Sequence, residues 1–261
     1  MTHEQRIQNE LIFQAKEAAK ERAAMQRTPA ELVERYIRAK RWRTHRVECL
    51  IKWLTMHQPA HICDFGCGSG EMACRLGLMG FRVTGIDVSP ELIAVARERA
   101  MLDGVADRVT FEVADGATAD LGKGKFDAVL AMSVLHHLPL EEGLRTLKGM
   151  LKPGGRIAFQ EPVAYSKLLQ WVRDRSGVPK DVSPDERQLS RAEIIRIGEV
   201  FQIEEMRHFA LLHRLWRIVP RPFQRLTDVV TRWLDRALLL LPGMDQFAGC
   251  VVLLVRKRSD D

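Results

Sequence analysis

Between residues 61 and 161 the chain alternates short apolar runs with amphipathic stretches. The runs fall at 61–65, 82–86, 109–114, 126–132 and 156–160, and helical patterns lie at about 70–79, 90–103 and 140–151. Gly or Pro marks the joints. Strand–helix alternation of this kind predicts a parallel sheet covered on both faces. Upstream, residues 3–56 read as helical, with good helix formers, almost no Gly and one break at Thr28-Pro29-Ala30-Glu31. That break sets Thr28 as an N-cap and Pro29 at the first helical position. Downstream come a polar stretch from 162 to about 189, a helix at 190–200, a strand-like run at 202–209, a basic and apolar segment at 211–246, and a buried last strand at 249–255. The expected organisation is an N-terminal helical cap (1–56) and an α/β domain (57–261) with lid segments at 162–189 and 211–246.

Composition narrows the class. A chain of 261 residues suits one large domain with appended segments, and 46% hydrophobic with 28% charged residues excludes disorder. The net charge of +6 is unevenly spread: residues 1–60 carry 12 basic against 7 acidic side chains, 61–161 carry 11 against 14, and 162–261 carry 17 against 13. No apolar run approaches the roughly 18–20 residues of a membrane span. The opening M-T-H-E-Q-R-I-Q-N-E has no apolar core of a secretory signal. Cys49, Cys63, Cys67, Cys74 and Cys250 are odd in number and lack framework spacing, which predicts reduced thiols. A soluble cytoplasmic protein is expected.

The informative stretch is Asp64-Phe65-Gly66-Cys67-Gly68-Ser69-Gly70, directly after a strand and opening a helix. Alternate glycines let the backbone turn tightly and approach a ligand without Cβ interference. The following helix offers unpaired N–H groups and a positive dipole end. The next strand ends at Asp87, 21 residues after Gly66, where a carboxylate can accept both hydroxyls of a ribose. After the third strand, Asp115-Gly116 supplies a carboxylate suited to an adenine amino group. Three motifs at three successive strand ends make a nucleoside site a strong expectation.

These residues resemble the class I S-adenosylmethionine-dependent methyltransferases, and among them the ubiquinone/menaquinone-methyltransferase-like enzymes. The resemblance is close over about 61–161 and rests on D-F-G-C-G-S-G, the acid in G-I-D-V-S, A-D-G, F-D-A-V-L-A-M-S-V-L-H-H-L and L-K-P-G-G-R. The spacing G-x-G-x-G fits this family better than the dinucleotide pattern G-x-G-x-x-G. It implies a Rossmann-like seven-stranded sheet with its last strand antiparallel. It implies S-adenosyl-L-methionine as cofactor, with Gly66, Cys67 and Gly68 beside its amino-acid part and Asp64 holding its ammonium through water or backbone. It further implies Asp87 on the ribose, Val88 on the adenine, Asp115 and Gly116 at the adenine edge, and Met132 and Ser133 next to the methionine moiety.

Methyl transfer is an in-line displacement at a sulfonium carbon, so proximity, alignment and exclusion of water dominate. A base is needed only when the nucleophile holds a proton it would not lose at neutral pH. Candidates are His136, His137 and Glu161, with Tyr165 nearby; structural hydrogen bonding is the competing role for the histidines, and holding a lid amide for Glu161. His137 is placed on the cofactor pocket and His136 nearer the substrate. The strand-four exit Ala131-Met132-Ser133-Val134 is not the D/N-P-P-Y motif used on nucleic-acid bases. Ser133 and His136 stand where some quinone O-methyltransferases carry metal-holding glutamates, so no metal is expected. Cys63 and Cys67 lack the partner ligands for zinc.

Ligands of an open α/β sheet bind beyond the carboxyl ends of its strands, so both lid segments are expected over the site. Residues 207–236 carry seven arginines against two aspartates, and Phe223, Leu226, Val230, Trp233, Ala237 and Leu240 form one helical stripe. Such a helix either lies on an anionic bilayer surface or packs its apolar face on the sheet. An apolar cap points to a lipophilic acceptor of the quinone, isoprenoid, polyketide or lipid type. The competing classes are an RNA methyltransferase, favoured by the basic flanks, and a non-catalytic S-adenosylmethionine-binding partner protein. No recognisable RNA-binding module accompanies the basic residues.

Overall fold

The computed structural model describes residues 3–25, 44–166, 175, 188–212 and 224–258. In chain order its elements are α1 (His3–Met25), α2 (Thr44–Thr55), β1 (His61–Phe65), α3 (Glu71–Leu78), β2 (Arg82–Asp87), α4 (Pro90–Leu102), β3 (Val109–Val113), β4 (Phe126–Met132), α5 (Leu140–Met150), β5 (Leu151–Pro162), α6 (Arg191–Val200), β6 (Gln202–Phe209), α7 (Gln224–Leu238) and β7 (Cys250–Arg256). The break at Thr28-Pro29 and much of both lid segments lie outside the described residues.

The seven strands form one sheet in the order β3-β2-β1-β4-β5-β7-β6. β1 pairs in parallel with β2 on one side and β4 on the other, while β7 runs antiparallel to both β5 and β6. This is the expected Rossmann-like seven-stranded sheet with an antiparallel last strand. The chain winds outward from β1 to β3 and then returns to β4, so the order reverses between β1 and β4. At such a switch point two successive loops diverge and leave a crevice beyond the strand ends.

Apolar side chains pack on both faces. Phe65, Val129, Leu144, Leu147, Phe159, Ile197 and Val255 belong to one core, and Leu50, Trp53, Leu54, Ile62, Ile93 and Leu254 to the other. α5 and α6 thus cover one face, and α2, α3 and α4 the other. Local chemistry sets the helix starts. Pro90 follows Ser89, whose hydroxyl accepts the Leu92 N–H at 3.2 Å, and Ser190 with Glu193 forms a reciprocal capping box. α3 instead begins from Gly70 at φ +76° with no side-chain cap.

β5 differs from the sequence expectation of a strand at 156–160 after a helix reaching 151. The helix stops at Met150 and the strand begins at Leu151, which pairs with Phe126; pairing then jumps to Ala128 with Arg156. Leu151 is fully buried, so the chain stays extended to bury it and the Lys-Pro-Gly-Gly stretch bulges from the sheet, with Gly154 at φ +71°.

α1 lies along α4, burying Ala18 against Leu92 and Val95. Arg22 makes a bidentate bridge to Glu98 at 3.0 and 2.7 Å. The described part of the stripe faces outward: Val230 and Trp233 of α7 and Leu240 just beyond it are 46%, 69% and 81% exposed, while Thr231 and Asp235 are buried. Asp235 is the reason, since its carboxylate accepts the backbone N–H groups of Leu211 and Leu212 at 3.1 and 2.6 Å. The helix is fixed by its polar side, so packing of this stripe on the sheet is not the arrangement found. Among the described residues no helix is long and apolar enough to cross a membrane.

Candidate cofactor cleft

The glycine loop leaves β1 at the switch point. Gly66, Gly68 and Gly70 sit at φ +73°, +53° and +76°, where a Cβ is disfavoured. Any Cβ at Gly66 would also stand 2.6 Å from Val134 Cγ2, so only glycine lets the β1 and β4 exits approach this closely. The Gly66 and Cys67 N–H groups both donate to the Ile86 carbonyl at 2.9 Å. Asp87 completes the anchor by accepting Gly68 N–H at 2.9 Å and Ser89 N–H at 3.0 Å. Burial raises its carboxyl pKa, the Ser89 and Gly68 N–H groups oppose that rise, and the nearby Glu10 carboxylate adds to it.

Asp64 lies buried behind this loop, and its Oδ2 has no hydrogen-bond partner among the described residues. Burial pushes its carboxyl up to about 7 against the pull of the Ala73 N–H. An acid whose folded pKa exceeds its unfolded value loses stability as pH rises between the two, here from about 4 to about 7. Asp64→Asn is therefore expected to raise unfolding free energy at pH 8 by up to about 4 kcal/mol and to change it little at pH 4. Urea unfolding at the two pH values checks this, and equal effects at both would count against a buried ionising Asp64.

A cleft opens beyond the strand ends. Asp87, Val88, Asp115, Gly116, Gly66 and His137 line it. Asp115 closes its own turn, accepting Ala117 N–H at 2.9 Å and the Thr118 hydroxyl at 3.3 Å. At Gly116 a Cβ would stand 2.6 Å from the Phe65 ring, which keeps the floor open. Cys67 is buried in the core beneath the loop, with its thiol pKa raised by burial, and Gly68 has open space around its Cα. Met132 packs at the edge of the same core. Ser133 is exposed at φ +55°, its N–H donating to the Gln160 carbonyl at 2.7 Å.

His136 and Glu161 form a buried pair. The Glu161 Oε1 accepts the N–H groups of Val134 and Leu135 at 3.0 and 2.9 Å, and Oε2 accepts His136 Nδ1–H at 2.8 Å. One carboxylate at the end of β5 thus holds the whole turn that leaves β4. His137 stacks on His136 at 4.1 Å between ring centroids, and its Nδ1 lies 3.6 Å from Glu10 Oε2. Tyr165 sits apart, its ring edge-on to His208 at 5.7 Å and under Arg191, and burial pushes its hydroxyl up to about 12.

Sequence reasoning missed the outer wall of the cleft. Arg6, Ile7, Glu10 and Gln14 of α1 line it, and Gln14 Nε2 donates to Glu10 Oε1 at 2.8 Å. Their spacing places them on one helix face, but nothing in that spacing says which face meets the domain. Also unforeseen was Arg99, buried in α4, which donates to the Ser69 carbonyl at 2.8 Å and to Glu21 at 2.7 Å. Among the described residues no three His, Cys, Asp or Glu side chains converge as a metal site, and the five cysteines are buried and form no disulfide.

Residues 63–159 match the family model described as a methyltransferase domain. The chain is 34% identical over 154 residues to a 27-O-demethylrifamycin SV methyltransferase of Amycolatopsis mediterranei, covering 56% of this chain and 57% of that protein. It is 35% identical over 99 residues to a ubiquinone biosynthesis O-methyltransferase of Xanthomonas axonopodis pv. citri, covering 38% and 41%. The chain thus spans about half the length of the curated relatives it matches. A solved geranyl diphosphate C-methyltransferase of Streptomyces coelicolor, in complex with S-adenosyl-L-homocysteine, shares the fold with a TM-score of 0.57 at 18% identity, covering 82% of this chain and 81% of that one. The sheet order agrees with the solved structure, and residues 63–159 are matched as a methyltransferase domain.

Proposed function

We propose that the protein is an S-adenosylmethionine-dependent methyltransferase acting on a small, lipophilic acceptor of the quinone, isoprenoid, polyketide or lipid type. The observation that carries this reading is the convergence of Asp87, Val88, Asp115 and Gly116 on one cleft beside a glycine loop, with the partnerless Oδ2 of Asp64 buried behind it. The residues present fit the cofactor. Asp87 accepts the ribose hydroxyls, Val88 packs on the adenine, and Asp115 and Gly116 take its edge. Asp64 balances the ammonium, and Gly66, Cys67 and Gly68 present backbone to the amino-acid end.

The bound cofactor supplies an activated methyl with a neutral leaving group, so the chain's own residues have to align, enclose and exclude water. His136 and Glu161 act as positioning residues that fix the β4 exit, where Met132 and Ser133 meet the methionine end. Since the His136 Nδ1–H is committed to Glu161, His137 is the histidine open to the cleft, and its role is to line the nucleoside.

The lipophilic acceptor is supported by relatives named for a quinone pathway and a rifamycin, while α7 turns an apolar face outward. The same face, with Arg236 exposed beside it, suits peripheral contact of a cytoplasmic protein with the inner face of an anionic membrane. The deciding experiment is transfer of labelled methyl from S-adenosylmethionine into a cell extract separated into lipid, small polar, protein and RNA fractions. Label is expected among lipids and apolar small molecules. Label in RNA would replace the acceptor assignment, and binding without any transfer would recast the chain as a cofactor-binding partner.

A further inference from the structure

We propose that α1 is the lid of the cofactor cleft, with Glu10 a cofactor-binding residue supplied from outside the methyltransferase domain and Arg99 the positioning residue that ties the lid to the glycine loop. This inference rests on the cofactor reading above. The matched domain covers 63–159, so nothing in it accounts for α1.

Arg6, Ile7, Glu10 and Gln14 line the same cleft as the nucleoside residues. Glu10 is held there by Gln14 and stands 3.6 Å from His137, with its side chain only 15% exposed. Its charge is felt at Asp87, whose carboxyl it helps to raise. Two carboxylates facing one small cleft repel each other unless donors lie between them. A cofactor lying between them supplies such donors. Gln14 Oε1 and Arg6 Nε add a buried acceptor and a buried donor without partners among the described residues, which fits a wall built against a polar ligand.

The far half of the same helix is fastened. Arg99 is 1% exposed; its Nε holds the Ser69 carbonyl and its Nη2 holds Glu21 of α1, while the Ser69 hydroxyl donates to the same Glu21 oxygen at 3.3 Å. Ser69 is part of the glycine loop, so α1 and the loop share one guanidinium. Seating the helix and shaping the loop become one event. Because α1 lines the cleft, entry and release of cofactor follow how firmly the helix is seated, and the Glu21–Arg99 contact sets that.

The test uses the full chain and S-adenosylmethionine itself, with equilibrium titration and stopped-flow exchange. Glu10→Ala is expected to weaken binding ten- to hundredfold with the unfolding midpoint unchanged, and Glu10→Gln to weaken it less. Glu21→Gln, whose side chain is not part of the cleft wall, is expected to raise association and dissociation rates together severalfold. Affinity within twofold of wild type for Glu10→Ala, or unchanged exchange rates for Glu21→Gln, would overturn the lid. Tight wild-type binding with either of those results leaves the methyltransferase reading standing, whereas failure of the wild type to bind overturns both.

Discussion

Replacing Asp87 with alanine is expected to weaken S-adenosylmethionine binding at least a hundredfold. Hydrogen bonds to a charged group contribute about 1.5–3 kcal/mol each, and a ribose offers two. Losing both corresponds to about 3–6 kcal/mol, a factor of a hundred or more. Asp87 also pins the loop through Gly68 N–H and Ser89 N–H, so the alanine variant loosens the loop around whatever binds it. Asp87→Asn separates the two effects. Its amide oxygen still accepts one of the N–H groups, but its NH₂ faces a donor where the carboxylate had an acceptor. Titration calorimetry on wild type, alanine and asparagine forms should therefore give a graded loss. Unchanged affinity in the alanine form would remove the ribose from Asp87.

The second large effect is on folding. Glu161→Ala is expected to lower unfolding free energy by about 3–5 kcal/mol, because it leaves buried donors without their acceptor. The Val134 and Leu135 N–H groups and His136 Nδ1–H all lose the same carboxylate at once. For a chain of this size each kcal/mol shifts the midpoint by about 2–4 °C, so a fall of roughly 6–20 °C is expected. Glu161→Gln should lose far less stability, since its oxygen can keep both backbone N–H groups while its NH₂ donates to a histidine that has switched tautomer. Thermal unfolding of the two variants checks this. Equal losses would mean that charge, and not hydrogen-bond count, holds the turn.

Some of this protein was legible before any coordinates. The apolar runs located the strands because a sheet covered on both faces needs short, continuously apolar segments, and no other use of such runs alternates so regularly with helices. Glycines at 66, 68 and 70 marked the cleft because residues without Cβ take such φ values at no steric cost. The helix at 190–200 was legible as a pattern, and the structure adds that Ser190 and Glu193, three positions apart, form its capping box.

Other features were decided only by the tertiary structure. The bulge at 152–155 follows from burying Leu151 opposite Phe126, a contact across 25 positions that no local pattern encodes. The outward face of α7 follows from Asp235 capping a turn 23 and 24 residues upstream, which overrides the usual rule that an apolar stripe turns inward. His136 and Glu161 are 25 positions apart, and their pairing depends on the registry of β4 with β5. α1 is the clearest case. Its residues on the cleft are ordinary surface residue types, and what makes them a wall is the docking of Ala18 on α4 and the reach of Arg99 from another helix. Local geometry fixes what a segment can be, because it depends on neighbours in the chain. Which face of it meets a ligand depends on partners far along the chain, and only the assembled fold brings those together.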